Sequence, residues 1–143
     1  KLEVDTDDIA KRKEIYESEL ERIVEVANIS NVLNQKIETL SKGYVRRVGF
    51  AQSIIGNPNI LLLDEPTDGL DPNQKDYMKA LIKDLGKGKT IIISTHLLDE
   101  AQTVASRIIL INKGKIVADG NLKNILKSTK TTSLEDAFRV LTM

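Results

Sequence analysis

A strand–helix–strand order between residues 60 and 95 constrains the fold of this chain more than any other feature. Four aliphatic residues, Ile60–Leu63, indicate a buried strand, and Pro66 ends it because proline cannot donate to a sheet. Residues 72–85 carry apolar side chains at helical spacing, and the "TIIIST" of residues 90–95 indicates a second buried strand. Two strands joined through a helix predict a βαβ unit with parallel strands, and so an α/β fold.

Helices and a hairpin flank this unit. Residues 5–28 form an amphipathic pattern that predicts a helix, begun by the acidic cluster at 5–8. Its apolar face, which serves either the protein's own core or contact with a partner, comprises Ile9, Tyr16, Leu20, Ile23 and Ala27. The other predicted elements are a helix from an N-cap at Ser41 to about Ile55, a helix at 97–105, a hairpin of strands 107–111 and 115–120, and short helices at 122–126 and 134–141.

Composition excludes several classes of protein. The 143 residues contain 21 basic and 21 acidic side chains, so no net charge favours nucleic acid or an anionic membrane as partner. The chain has no cysteine, which excludes a disulfide scaffold and a cysteine-based zinc site. No apolar run approaches the roughly 18 residues that a membrane-spanning helix needs.

Polar side chains stand at the ends of both predicted strands. Asp64 and Glu65 follow the first strand, and the chain's one histidine, His96, follows the second. Because ligands of open α/β sheets bind beyond the carboxyl ends of the strands, these groups are expected at one edge. One carboxylate suits a hard cation such as Mg²⁺ and the other suits a water molecule, a division typical of phosphoryl transfer. Taken singly, the same residues also fit a strand end, a turn and a helix cap.

Four motifs in order resemble those of an ABC-transporter ATPase subunit. They are "LSKGY" at 40–44, "ILLLDEP" at 60–66, "GLDP" at 69–72 and "STH" at 94–96, which are similar to the signature motif, Walker B segment, D-loop and switch histidine. The segments "HLLDEA", "INKGKIVADG" and "SLEDAFRVL" also resemble the branch that energises ABC-2-type exporters. The resemblance implies a partial P-loop NTPase fold, with parallel strands, flanking helices, a helical subdomain and a C-terminal hairpin.

The resemblance also implies a role for each strand-end residue. Asp64 would hold the Mg²⁺ of bound ATP, and Glu65 would polarise the attacking water as general base. His96 would hydrogen-bond the γ-phosphate and sense its loss. The implied activity is ATP hydrolysis coupled to membrane transport, with ATP and Mg²⁺ as cofactors.

A second group of residues would act across a dimer. Asp71 would lie in the D-loop and couple the two ATP sites. Ser41, Lys42 and Gly43, at the start of the signature helix, would face the γ-phosphate of ATP held by the partner subunit. Lys42 replaces a usual glycine and adds a cation near that phosphate, while Tyr44 replaces a usual glutamine, whose contacts it leaves open.

A phosphate loop, G-x-x-x-x-G-K-[ST], is missing from the sequence. The one similar segment, "GKGKT" at 86–90, has Lys83 where the leading glycine belongs, and it follows a helix instead of a strand. The chain also starts at Lys1. We therefore expect the C-terminal portion of a nucleotide-binding subunit, inactive alone, with a helical subdomain (1–57), part of a RecA-like core (58–128) and a C-terminal helix (129–143).

Three alternatives to a transporter ATPase subunit have to be considered. Chromosome-maintenance and DNA-repair relatives place long coiled coils before the signature, and translation-associated relatives tend to read N-H-L-D at the D-loop; this chain does neither. A non-catalytic module that offers its signature face to a partner ATPase is the third. The favoured reading implies a second nucleotide-binding subunit, expected as a homodimer, a membrane permease, no nucleic acid, and a peripheral place on the cytoplasmic face of the membrane.

Overall fold

The computed structural model describes the backbone of residues 6–143 and the side chains of residues 10–143. Its elements are α1 (Thr6–Ala27), α2 (Lys42–Ser53), β1 (Ile60–Asp64), α3 (Pro72–Leu85), β2 (Thr90–Ser94), α4 (Leu98–Val104), β3 (Ile108–Asn112), β4 (Lys115–Gly120), α5 (Leu122–Thr129) and α6 (Leu134–Thr142). Every predicted helix and strand is present, and the α/β class is confirmed. The acidic cluster at 5–8 and the side chain of Ile9 lie outside the described residues.

The chain divides into two compact units, the first ending at Ile93 and the second beginning at Ser94. In the first unit β1 and β2 pair in parallel, as the helical connection through α3 requires. The backbone N–H of Thr90 donates to the carbonyl of Asn59 at 2.9 Å, which aligns the starts of the two strands. The predicted βαβ unit is therefore confirmed.

The core of the first unit lies between the helices and one face of this sheet. Its buried members are Ile23, Ala27, Ile29, Val32, Phe50, Ala51, Ile54, Leu61, Leu63, Leu70, Met78 and Ile82. The C-terminal half of α1, the helix α2 and the buried side of α3 all contribute to it. This packing brings the starts of α2 and α3, which carry two of the predicted motifs, into the same unit.

The prediction of two buried strands holds for one face of β1 only. Leu61 and Leu63 of β1 are buried, but Leu62 between them is 72% exposed, and Ile92 of β2 is 56% exposed. An unbroken aliphatic run cannot reveal how many faces of a strand are covered, because that depends on residues elsewhere. One face of this sheet therefore presents apolar side chains outward.

The apolar face of helix α1 is buried near its C-terminal end and exposed before it. Ile23 and Ala27, in its C-terminal half, are buried in the core, whereas Tyr16 is 65% exposed and Leu20 is 45% exposed. The apolar face thus serves the core in its last turns and is uncovered before them. Among the residues that the structure describes, neither α1 nor any other helix combines the length and the hydropathy that a membrane span requires.

The second unit packs a hairpin against three helices. Strands β3 and β4 are antiparallel, with Ile108 opposite Gly120 and Asn112 opposite Lys115. Lys113 and Gly114 form the turn with positive φ angles of 48° and 74°, as a tight hairpin turn requires. The buried core of this unit consists of Ile108, Leu110, Ile125, Leu134 and Ala137.

Candidate functional site

Two carboxylates occupy the end of β1. Asp64 is the last residue of the strand and is exposed, whereas Glu65 is half-buried and its Oε2 atom is shielded from solvent. Glu65 has a φ of 45°, in the left-handed region that residues other than glycine and asparagine rarely adopt. This backbone reverses the chain at the strand end, and the N–H of Asp68 donates to the Glu65 carbonyl at 3.1 Å. The two carboxylates therefore have different surroundings.

The carboxylates at the end of β1 fit a Mg²⁺ ion that is bound together with a nucleotide. No group of three or more histidine, aspartate or glutamate side chains able to hold a metal occurs in the described part of the chain. Mg²⁺ bound together with a nucleotide needs one or two carboxylates, because water and the phosphates supply its other ligands. The exposed Asp64 is such a carboxylate, and it is the residue here that could hold the ion.

Residues 40–44, which resemble the signature motif and which we call the signature segment, lead into the first turn of α2. Ser41 is the N-cap: its Oγ accepts from the N–H of Tyr44 at 3.4 Å, and its carbonyl accepts from the N–H of Val45 at 3.0 Å. Lys42 begins the helix and is exposed, whereas Gly43 is buried. The predicted N-cap at Ser41 is confirmed, and the positive end of the helix dipole lies at this exposed turn.

Gly43 is seated against the start of α3. A Cβ atom at Gly43 would lie 2.1 Å from the Oε1 atom of Gln74, so the absence of a side chain is what permits the contact. The backbone N–H of Gln74 in turn donates to Oδ1 of Asp71, the N-cap of α3, at 3.0 Å. Gln74 therefore links the signature segment to Asp71.

A shallow cleft of about 270 Å³ lies beside this link. It is lined by Leu40, Lys42, Val45, Arg46, Asp68 and Gly69. Nη2 of Arg46 lies 3.8 Å from Oδ2 of Asp68 at the exposed surface, an ion pair of small energetic value. The cleft thus has two cationic side chains, Lys42 and Arg46, in its lining.

The contacts that the sequence left open for Tyr44 are resolved. The amide nitrogen Nδ2 of Asn31 donates to the Tyr44 hydroxyl at 2.7 Å, and the guanidinium of Arg47 lies 5.6 Å from the centre of the Tyr44 ring. Tyr44 is half-buried, so its ring packs within the unit. Sequence reasoning did not identify Gln74 or Arg47, because the contacts of Gln74 with Gly43 and of Arg47 with Tyr77 join segments that are distant in the chain.

His96 belongs to the second unit. It is exposed and lies in the segment between β2 and α4, where the N–H of Leu97 donates to Oγ1 of Thr95 at 3.0 Å. Within α4, the carboxylate-bearing Glu100 is 6% exposed. The approach of His96 to Asp64 and Glu65, which were expected at one edge of the sheet, stays a prediction.

The segment that resembles a phosphate loop is a turn. Residues 86–88 connect the end of α3 to β2 and so follow a helix, as the sequence predicted. Gly86 caps α3, and Nζ of Lys89 donates to Oδ1 of Asn57 at 2.6 Å. Lys89 therefore links the loop before β2 to the loop before β1.

Solved structures define the class of protein. The ATP-binding subunit of an ABC transporter matches 90% of this chain and 55% of its own, with a TM-score of 0.79 and 25% sequence identity. A dimeric ATP-binding cassette in a post-hydrolysis state, bound to ADP and Pi, matches 73% of this chain and 46% of its own, with a TM-score of 0.67 and 30% identity. The fold is that of P-loop ABC ATPase domains, in part.

Sequence comparison finds similarity to proteins of ABC transporters. Residues 2–68 match the family model of ABC transporters. An uncharacterized ABC transporter ATP-binding protein of Bacillus subtilis is 35% identical over 125 residues, and a Nod factor export ATP-binding protein I of Burkholderia thailandensis is 36% identical over 107. The chain is a relative of the ATP-binding proteins of ABC transporters, and it spans 41% and 35% of the lengths of these two.

Proposed function

We propose that this chain supplies the Walker B carboxylates, the D-loop and the signature face of an ATPase subunit that powers ABC transport. The observation that carries the proposal is the carboxylate pair at the end of β1. Asp64 is exposed, and the adjacent Glu65 is half-buried and has a positive φ angle. Similarity to ABC transporter ATP-binding proteins supports it. Motif order supports it as well, because the signature, the two carboxylates and the D-loop follow one another as in that family.

The two carboxylates have separate tasks in this proposal. Asp64 would hold Mg²⁺, which supplies charge neutralisation for the phosphates of ATP. Glu65 orients the attacking water and accepts its proton, a task that suits a carboxylate shielded on one side from solvent. His96 contacts the γ-phosphate. Because phosphoryl transfer depends on positioning and charge, these groups and the phosphate loop have to meet in one complete subunit.

The remaining residues act between subunits. Ser41, Lys42 and Gly43 offer backbone N–H groups and one cation to the nucleotide of a second subunit, and Asp71 couples the two sites. A homodimer docked on a membrane permease, on its cytoplasmic face, is the assembly that this arrangement serves. Nucleic acid has no part in it.

The 143-residue chain alone is proposed to be inactive. Its sequence holds no phosphate loop to grip the β- and γ-phosphates, so Mg²⁺-ATP lacks the contacts that fix it. ATP turnover with Mg²⁺ by the chain and by the complete subunit, side by side, tests this. Turnover by the chain alone that disappears in Glu65→Gln would contradict the proposal.

The complete subunit provides the test of Glu65. Glu65→Gln keeps size and hydrogen bonding but cannot accept the proton, so hydrolysis is expected to fall by about 100-fold or more. Glu21→Gln, an exposed carboxylate of α1, is the matched control and is expected to retain activity. A complete subunit without turnover would favour the non-catalytic module that offers its signature face to another ATPase.

Mixing two inactive variants tests the action in trans. Ser41→Asp keeps the N-cap but places a negative charge where a phosphate would bind. If Ser41 serves the partner's nucleotide, a mixed dimer of Ser41→Asp and Glu65→Gln subunits contains one site with both residues intact. Activity is then expected to return on mixing. No recovery, with dimers formed, would contradict the action in trans.

A further inference from the structure

A cluster of one cation and two aromatic rings joins three helices in the first unit. The guanidinium of Arg47, on α2, lies 4.9 Å from the centre of the Tyr77 ring on α3 and 5.6 Å from that of Tyr44. Both distances are within the range of a cation–π interaction. We call these three residues the Arg47 cluster; all three side chains are half-buried.

The Arg47 cluster is also bonded to the end of α1. Nη1 of Arg47 donates to the carbonyl of Asn28 at 3.4 Å, and the hydroxyl of Tyr77 donates to the carbonyl of Val26 at 2.8 Å. Val26 lies in the last turn of α1 and Asn28 directly follows the helix, so a guanidinium here is close to the negative end of the helix dipole, which is favourable. One arginine therefore contacts the end of α1, a ring of α2 and a ring of α3.

Arg47 lies one helical turn beyond Gly43 of the signature segment. Arg47 follows Gly43 by four residues, so both occupy the same side of α2. Gly43 contacts Gln74 of α3, and Arg47 contacts Tyr77 of the same helix. Two successive turns of α2 thus contact two successive turns of α3.

We propose that Arg47 is a positioning residue for ATP hydrolysis. It holds the first turn of α2, and with it Ser41 to Gly43, at a fixed place relative to α3 and its N-cap Asp71. Arginine suits this task better than lysine because its planar group stacks on rings and donates in the same plane. The inference rests on the proposed function, since the segment that it positions acts on the partner's nucleotide.

The test measures local order and catalysis in the complete subunit. Arg47→Met keeps the length of the side chain and removes the charge, whereas Arg47→Lys keeps the charge and loses the planar stack. Amide hydrogen exchange at Tyr44 and Val45 reports on the first turn of α2, because both amides bond to Ser41. Arg22→Met, which removes an arginine of α1 that pairs with Glu19, is the control.

We expect exchange at these amides to rise about tenfold in Arg47→Met and less in Arg47→Lys, from the strength of a partly desolvated cation–π contact. Turnover is expected to fall by about tenfold or more, because small displacements of a positioned group slow the reaction strongly. Affinity of the separate subunit for ATP is expected to stay unchanged, since the phosphate loop grips that nucleotide. This split between turnover and binding distinguishes positioning from loss of fold.

Three results would overturn the proposal. They are exchange at Tyr44 and Val45 equal to that of the Arg22→Met control, faster exchange with turnover unchanged, and faster exchange spread evenly over α1, α2 and α3. Absence of turnover in the wild-type subunit would instead contradict the proposed function. In that event the exchange measurement alone decides whether Arg47 orders the segment.

Discussion

At the residue scale, the contact between Gly43 and Gln74 determines what position 43 accepts. Gly43 lies inside a helix, where alanine would be about 1 kcal/mol more favourable than glycine. The added Cβ would nevertheless fall 2.1 Å from Oε1 of Gln74 and 2.8 Å from its Cδ, so the amide would have to move. Steric contact and helix propensity therefore oppose each other at this position.

A double-mutant cycle separates the two effects. Gly43→Ala is expected to lower the free energy of unfolding by about 1 kcal/mol, because displacement of Gln74 outweighs the gain in propensity. In a Gln74→Ala background the same change is expected to be stabilising, and denaturant unfolding measures both. Gly49→Ala is the control, since a Cβ at Gly49 meets nothing within 4 Å. Equal effects in both backgrounds would contradict the contact.

The residues of the candidate site were identified from sequence more readily than their contacts. Asp64, Glu65 and Asp71 follow from motif order, because each stands at a strand end or a helix start that local patterns predict. The left-handed backbone of Glu65 leaves no comparable pattern in a glutamate. Tyr44 and Asn31 are 13 residues apart, so their hydrogen bond depends on how two segments fold together.

At the element scale, Asp71 is the N-cap that begins α3. Asp71→Ala removes the acceptor for the Gln74 N–H and is expected to lower the free energy of unfolding by about 1 kcal/mol. Asp71→Asn keeps a capping oxygen and is expected to retain most of that stability. Thermal unfolding of the two variants checks this. A loss in Asp71→Asn as large as that in Asp71→Ala would show that the cap is not the cause.

The hairpin carries a pH-dependent contact. The guanidinium of Arg107 donates to both carboxylate oxygens of Asp119 at 2.8 Å, and this hydrogen bonding lowers the pKa of Asp119 below its ordinary value of 3.8. A lowered folded-state pKa stabilises the fold above pH 3.8, and the effect is lost as pH falls through the folded-state value. Both groups are exposed to solvent, so salt is expected to weaken it.

Titration of the Asp119 carboxyl group by NMR checks this contact. In Arg107→Gln the pKa of Asp119 is expected to rise toward its ordinary value. Lys115→Gln, which changes an exposed cation on the same strand, is the control. An unchanged pKa in Arg107→Gln would exclude Arg107 as the cause.

Periodicity accounts for the elements and fails for their surroundings. The helix predicted over 72–85 matches α3, because Pro72 at the start and the spacing of Tyr77, Leu81, Ile82 and Leu85 favour it. The strands were also located, but their burial was overestimated. Leu62, like the buried Leu61, has an aliphatic residue on each side in the sequence. The sequence pattern alone could therefore not reveal that its side of the sheet is uncovered.

At the scale of the whole molecule, two adjacent leucines lie on opposite faces of the sheet, one face covered by the core and the other uncovered. Leu61 is 3% exposed and Leu62 is 72% exposed. Leu61→Ala is expected to lower the free energy of unfolding by about 2–4 kcal/mol through the lost burial and the cavity. Leu62→Ala is expected to change it by less than about 0.5 kcal/mol. Chemical denaturation of the chain tests both, and equal losses would mean that both sides of β1 are covered.

The division into two units limits what motif order can establish. Asp64 and Glu65 lie in the first unit and His96 in the second, so their predicted meeting depends on more than either unit alone. Within the first unit, by contrast, the link from Gly43 through Gln74 to Asp71 follows from packing of α2 on α3. The sequence predicted Gly43 and Asp71 in that unit but not Gln74, the residue that links them.

The hydrogen bond from Asn31 to Tyr44 has an evolutionary consequence. A tyrosine at 44 presents its hydroxyl to the side chain at 31, whereas the glutamine usual in the signature is shorter and carries both a donor and an acceptor. Lineages that acquired the tyrosine would then be under selection to keep a donor at 31, and lineages with glutamine would be free to drift there. The two positions are expected to co-vary across relatives of this chain.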